Sequence, residues 1–234
     1  MARRKRQRLN STKKKQTTGG IPFFISLFSL LFIAAMNIRA LNYLWDNIAY
    51  TNFLYAASGL SIGMWFALIF FQGHLSVFFH ELKHSIVSNL AGNRSKGMKI
   101  KRDTGLFSYE YTRQSAKYNA LIALAPYFFP LFSIPALLVG LVFFIENHQH
   151  LVLVLAIGFG CDLFMNIRDI SPVQTDITNI TGGYYVGVLF IVAFNLVLLT
   201  YFMAWSFQEV FGLKVLFAYL WEMIVRLVWH YRRL

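Results

Sequence analysis

Apolar runs separated by short polar segments dominate the chain. A helix needs about 20 predominantly apolar residues to cross a bilayer, and six runs approach or exceed that length. They are Ile21–Ile38, Leu54–Phe79, Ala120–Ile145, Leu151–Ile167, Tyr184–Phe207 and Val210–Val228. The pattern predicts an all-α polytopic membrane protein with about six transmembrane helices. The last run carries three charged residues, so an interfacial helix, which would leave five spans, is the alternative for it.

The composition supports a membrane protein. Of the 234 residues, 57% are hydrophobic and 14% are charged, whereas a soluble domain has roughly 45–50% apolar and 25% charged residues. These proportions exclude a typical water-soluble globule, and so many apolar residues also exclude a disordered chain. The single cysteine, Cys161, excludes an intrachain disulfide and a cysteine-based metal cluster.

The distribution of basic residues predicts the orientation. The net charge is +12, and 15 of the 22 Lys and Arg residues lie in two segments, Arg3–Lys15 and Arg94–Lys117. Cytoplasmic loops of membrane proteins carry an excess of Lys and Arg, so both segments are predicted to be cytoplasmic. With an even number of spans, the N-terminus and the C-terminus are both cytoplasmic. We interpret the basic tail as a topology signal that contacts lipid, with no role in binding nucleic acid.

A short alternating pattern lies inside the second basic segment. In residues 97–111, Met98 and Ile100, and then Phe107, Tyr109 and Tyr111, alternate with polar residues around a central Asp-Thr-Gly. This pattern predicts a small cytoplasmic β-hairpin between the second and third transmembrane helices. Such a hairpin is either a loop without a direct role or an edge that holds an extended substrate peptide.

The second apolar run is predicted to form a spanning helix whose cytoplasmic end carries the sequence His80-Glu81-Leu82-Lys83-His84. On a helix, histidines four residues apart project from one face and can bind one Zn²⁺, and Glu81 can act as general base on a metal-bound water. Ionisable groups beside an apolar span are costly and mark function by default. The alternative is that these residues only form the polar interface end of the helix.

A zinc site needs a third protein ligand, and three aspartates after the fourth run are candidates: Asp162, Asp169 and Asp176. We favour Asp176, because it follows the helix-breaking Pro172 and a loop can direct its carboxylate toward another helix. Asp162 is the second choice as ligand, or else a buried acid that orients a histidine. Asp169 can pair with Arg168 instead.

The motif His80-Glu81-x-x-His84, a hairpin, a returning helix and a later helix ending in Asn166, Pro172 and Asp176 together resemble the site-2 protease family of intramembrane zinc metallopeptidases. The resemblance covers about Leu54–Phe207 and is to the divergent, minimal-core branch. It implies that His80, His84 and Asp176 bind zinc and that Glu81 activates water. Asn166 would bind substrate or an oxyanion. In the usual family motif, Asn-x-x-Pro is followed by Asp-Gly, whereas here Asn166 and Pro172 are six residues apart and Ile177 follows Asp176.

The charge and hydropathy pattern together with this resemblance predicts four regions. Residues 1–20 form a basic cytoplasmic tail, 21–53 the first transmembrane helix and an external loop, 54–207 a metalloprotease core, and 208–234 a C-terminal helix. The expected activity is hydrolysis of a peptide bond in a membrane-spanning protein substrate, at or near the cytoplasmic face.

Three other functions are alternatives for this sequence. A non-catalytic transporter or scaffold would use the same polar cluster to bind an ion or a partner helix. A di-iron oxygenase needs more clustered histidines than the chain provides. A prenyl-protein-processing protease would take a later Glu as its third ligand, and Glu209 and Glu222 lie near or beyond the last predicted loop.

Overall fold

The computed structural model describes residues 19–46, 49–102 and 104–231, so most of the predicted tail at 1–20 lies outside it, as do Asp103 and the last three residues. The described chain is mostly helical and contains one small sheet. The elements are α1 (Gly20–Trp45), α2 (Tyr50–Phe70), α3 (Gly73–Leu90), β1 (Arg94–Ile100), β2 (Gly105–Glu110), α4 (Asn119–Leu124), α5 (Ser133–Phe143), α6 (His148–Arg168), α7 (Thr175–Thr178) and α8 (Gly183–Tyr231).

Within the described residues, four helices are long and apolar enough to cross a membrane. They are Gly20–Asn42, Tyr50–Phe70, His148–Arg168 and Gly183–Arg226. Helices of this length and hydropathy point to an integral membrane protein. The count of six spans and the cytoplasmic placement of both termini stay predictions.

The second predicted span is interrupted. The apolar run Leu54–Phe79 is not one helix, because α2 ends at Phe70 and α3 begins at Gly73. Gln72 is extended, and Gly73 has a φ of +54°, a conformation that glycine adopts without the steric cost of a side chain. The prediction that His80 and His84 end a spanning helix is therefore wrong: they lie on a separate helix.

The third predicted span, Ala120–Ile145, is also interrupted. It divides into α4, a 3₁₀ turn at Ala125–Tyr127, an irregular segment, and the 11-residue helix α5. Proline lacks the N–H that a helix interior needs, and Pro126 and Pro130 both fall in this break. The uninterrupted apolar pattern concealed the break, because hydropathy does not register a missing hydrogen-bond donor.

A backbone break divides α8. Gln208 and Glu209 have non-helical dihedral angles, with Glu209 at φ 56° and ψ −140°. Beyond the break the chain folds back, so that the rings of Tyr201 and Phe217 lie 5.7 Å apart. The break falls between the fifth and sixth predicted apolar runs.

Helices α2 and α6 pack with their backbones almost in contact. A Cβ atom added at Gly59 would lie 2.5 Å from the Cβ of Ala156, and one added at Gly63 would lie 2.8 Å from the carbonyl carbon of Ile157. Glycine is required at these positions because any side chain would push the two helices apart. The two glycines therefore hold the helices at a short separation.

The sheet consists of β1 and β2, which run antiparallel with Met98 opposite Phe107 and Ile100 opposite Gly105. Side chains on opposite residues share a face of a sheet, so these apolar residues lie together. The sheet overlaps the segment 97–111 for which a hairpin was predicted. The second apolar run is split into α2 and α3, so the sheet follows α3 in the chain. The location of the sheet on the cytoplasmic side stays a prediction.

Candidate active site

Two histidines and one aspartate converge at the centre of the candidate site. His80 and His84 lie one turn apart on α3, and Asp176 comes from α7. The Nε2 atoms of His80 and His84 are each 3.3 Å from Oδ2 of Asp176, and one potential ligand atom from each residue lies within 4.8 Å of the other two. These residues could therefore hold one metal ion.

The donor set fits a catalytic metal centre. Two imidazole nitrogens and one carboxylate oxygen match the three-ligand sites of zinc hydrolases, which leave a fourth position for water or substrate. Ligands of one tetrahedral zinc ion at about 2.1 Å lie about 3.4 Å apart, which is close to the 3.3 Å between each histidine and Asp176.

A backbone carbonyl fixes the orientation of His84. Its Nδ1–H donates a hydrogen bond to the carbonyl oxygen of Ile122 in α4, at 2.7 Å. A proton on Nδ1 leaves the lone pair of Nε2 free, and Nε2 is the atom that faces Asp176. The contact presents His84 in the tautomer that a metal ligand requires.

A carboxylate contacts the Nδ1 atom of His80, as the Ile122 carbonyl does for His84. Nδ1 of His80 lies 3.4 Å from Oδ2 of Asp169, at the end of α6. The predicted pairing of Asp169 with Arg168 is also present, with Nε 3.0 Å from Oδ1. The contact with His80 was missed, although the position of Asp169 at a helix end beside the candidate ligands was a usable signal.

The two carboxylates dominate the electrostatics of the site without a metal. Burial lowers the pKa of His80, but hydrogen bonds and charges from Asp169 and Asp176 raise it more, to about 9. Burial raises the pKa of Asp176, whereas the two histidines hold it well below its usual range. The ionised carboxylates thus stabilise a positive charge on the neighbouring imidazole. The same negative charge would favour binding of a cation at this site.

Glu81 is 6% exposed and lies beside the histidines. It lines a cavity of about 480 Å³ together with His80, His84 and Asp176. The hairpin contributes Thr104–Phe107 and Tyr109 to the cavity lining, and α4 contributes Ile122 and Ala123. This position, beside the candidate ligands and open to the cavity, is where a general base would contact a water molecule.

Asp162, the second choice for the third ligand, lies elsewhere. Its Oδ2 accepts hydrogen bonds from the backbone N–H groups of Phe132 and Ser133, at 2.9 and 2.8 Å, and from the Ser133 hydroxyl at 2.7 Å. In the structure Asp176 contacts the two histidines, whereas Asp162 is hydrogen-bonded to the start of α5.

Asn166, which was expected to contact substrate, is 2% exposed and lies outside the cavity lining. Its Oδ1 accepts a hydrogen bond from Lys83 Nζ at 2.8 Å, and its Nδ2 donates to Asn195 Oδ1 at 3.0 Å. The sequence pattern had indicated no separate role for Lys83. The signal that could have identified Lys83 is its position between the two histidines of the motif.

Comparisons with known proteins place the chain in a family. The family model described as "Peptidase M50B-like" matches residues 54–233, and so includes α3, the sheet and α7. Searches of curated proteins and of solved structures find no match. The family match begins where the resemblance drawn from the motifs began, at residue 54, and extends beyond it to residue 233.

Proposed function

The chain belongs to the Peptidase M50B-like family, part of the site-2 protease group, and on this basis we propose that it is an intramembrane zinc metalloprotease. Family membership indicates a membrane metalloprotease that acts on protein. The finer proposal is that it hydrolyses a peptide bond in a membrane-embedded substrate, at or near the cytoplasmic face. The basic segment Arg94–Lys117, which follows α3, supports a cytoplasmic location for the site, because cytoplasmic loops carry an excess of Lys and Arg.

The observation that carries the proposal is the convergence of His80, His84 and Asp176 beside Glu81. In the proposed site the first three residues would hold the metal, and a zinc ion bound there would supply the Lewis acidity that lowers the pKa of water and polarises the scissile carbonyl. Asp169 and the carbonyl of Ile122 orient the two imidazoles, so the ligands are positioned before the metal arrives.

Glu81 acts as the general base and then as the general acid. Its carboxylate accepts a proton from the attacking water and delivers that proton to the amine that leaves when the C–N bond breaks. The hydroxide equivalent adds to the carbonyl carbon, so the products are one carboxylic acid and one amine. The contact with β2 leaves Glu81 only 6% exposed.

The hairpin provides a surface for an extended substrate. A transmembrane helix hides its carbonyls in internal hydrogen bonds, so the substrate must unwind before it can be cut. Within the described residues, β2 pairs only with β1, and Gly105–Phe107 face the cavity. Its other edge is therefore available to pair with an unwound segment next to Glu81.

The decisive experiment substitutes Glu81 in the full chain. Cells expressing the wild type, Glu81→Gln or the control Glu146→Gln are compared by quantitative proteomics of membrane proteins. Substrates should accumulate uncut with Glu81→Gln only, because Glu146 is exposed and distant from the motif in sequence. Purified Glu81→Gln protein should retain zinc, measured by elemental analysis.

The alternative function predicts a different result. If the polar cluster only binds an ion or a partner helix, Glu81→Gln will leave the membrane proteome unchanged while the metal stays bound. That outcome would reject proteolysis and favour a non-catalytic transporter or scaffold.

A further inference from the structure

A buried lysine lies inside the metal-binding motif. Lys83 is 1% exposed, although a charged ammonium is among the most costly groups to bury. Its Nζ donates to Asn166 Oδ1 at 2.8 Å and to the carbonyl of Pro126 at 3.3 Å, and it lies 3.6 Å from Oδ1 of Asp162. These contacts compensate the buried charge with one carboxylate and two neutral oxygens.

The partners of Lys83 belong to a larger polar network. Asp162 uses its other oxygen to hold the start of α5 through Ser133, and Asn166 donates to Asn195 of α8. Asn195 in turn donates to the carbonyl of Tyr127 at 2.8 Å. The network therefore connects the segment between α4 and α5 with α6 and α8, and Lys83 is the residue through which α3 joins it.

The geometry of a helix shows what this connection can do. Successive residues are rotated by about 100° around the helix axis. Relative to His80, Lys83 projects about 60° to one side, whereas His84 and Glu81 project about 40° and 100° to the other. The network holds α3 on the Lys83 side, and the sheet covers it on the Glu81 side. The two histidines lie between these supports and face Asp176.

Resting on the proposed function, we propose that Lys83 is a positioning residue: its buried contacts fix the rotation of α3, so that His80 and His84 meet Asp176 with their Nε2 atoms. Lys83 itself does not contact the metal or the substrate. Its contribution is that the histidine face is already oriented before metal binding, which avoids the cost of orienting it afterwards.

The test measures zinc affinity, which a merely stabilising residue would not alter in folded protein. The full chain is purified in lipid nanodiscs as wild type, Lys83→Met and the control Lys214→Met, and zinc is titrated against a chelating dye. Lys214 is exposed on α8. We expect Lys83→Met to weaken zinc binding about tenfold or more, the lower end of the effect of residues that orient metal ligands, and Lys214→Met to bind like the wild type. Lys83→Arg, which keeps the charge and the donors, should recover part of the affinity.

A second variant covers the case in which Lys83→Met does not fold, because it leaves the buried carboxylate of Asp162 without its partner. Lys83→Met combined with Asp162→Asn removes both charges. If this double variant folds and still binds zinc weakly, the positioning role stands. If either folded variant binds zinc as tightly as the wild type, the role is rejected while the proposed function survives. A wild type that binds no zinc would reject both.

Discussion

The backbone of Gly105 in β2 lies directly against the side chain of Glu81 in α3. A Cβ atom at Gly105 would lie 2.5 Å from Cγ and 2.7 Å from Cδ of Glu81, closer than van der Waals contact permits. The strand can cover the proposed general base at this distance only because residue 105 has no side chain. The position of the hairpin and the position of Glu81 therefore depend on each other.

Gly105→Ala should impair turnover and leave zinc bound. The new methyl group displaces the Glu81 carboxylate, and a misplacement of about 1 Å at a catalytic group can cost about 100-fold in rate. The measurement is kcat on an identified substrate, with zinc content determined in parallel. Ser108→Ala in the same strand is the control and should keep near-normal activity. Equal rates for Gly105→Ala and the wild type would show that the contact between β2 and Glu81 does not position the Glu81 carboxylate.

Asp176→Ala should lose most of its zinc under conditions that load the wild type fully, because two histidines alone form an incomplete zinc site. Elemental analysis of purified protein gives the metal-to-protein ratio. Asp46→Ala, which removes an exposed carboxylate, should keep full occupancy. If Asp162→Ala loses zinc and Asp176→Ala keeps it, Asp162 is the third ligand instead.

Asp169→Asn should weaken zinc binding by about 10–100-fold, the range found when a group that orients a metal ligand is replaced. Asparagine keeps the size of the side chain but removes the charge that faces Nδ1 of His80. Competition with a chelator of known affinity measures the change. Unaltered affinity would mean that Asp169 serves only its ion pair with Arg168.

Gly63→Ala should destabilise the protein by about 1–3 kcal/mol, the usual cost of forcing extra atoms into a packed interior. The added Cβ would lie 2.8 Å from the carbonyl carbon of Ile157 in α6. Thermal unfolding in detergent reports the loss as a lower Tm. Ser61→Ala, on the exposed side of the same helix, is the matched control and should leave Tm nearly unchanged.

The parts of the site that depend on local geometry could be predicted from the sequence. The spacing of His80, Glu81 and His84 requires only a helix, and hydropathy identified most of α1, α2, α6 and α8. The break before α3 could not be found in this way, because it depends on the backbone of Gln72 and Gly73 within an otherwise apolar run.

The remaining site features are long-range contacts. The contact of Asp169 with His80 spans 89 positions, and that of Lys83 with Asn166 spans 83. Local sequence patterns do not encode which helices become neighbours. Lys83 was overlooked because it was predicted to lie at the end of a membrane span, where a lysine usually extends to water, and only the packed structure shows that it is enclosed.

The close packing around α6 also bears on how a substrate would reach the site. Gly59 and Gly63 place α2 against α6 with no space between the backbones, and a Cβ added to Gly158 of α6 would lie 2.5 Å from Ala136 in α5. A substrate helix, which is about 10 Å wide, has no passage through either seam. We therefore expect lateral entry on the hairpin side of the cavity, where the walls are a two-stranded sheet and short helices, and where the incoming segment would meet β2 before it meets Glu81.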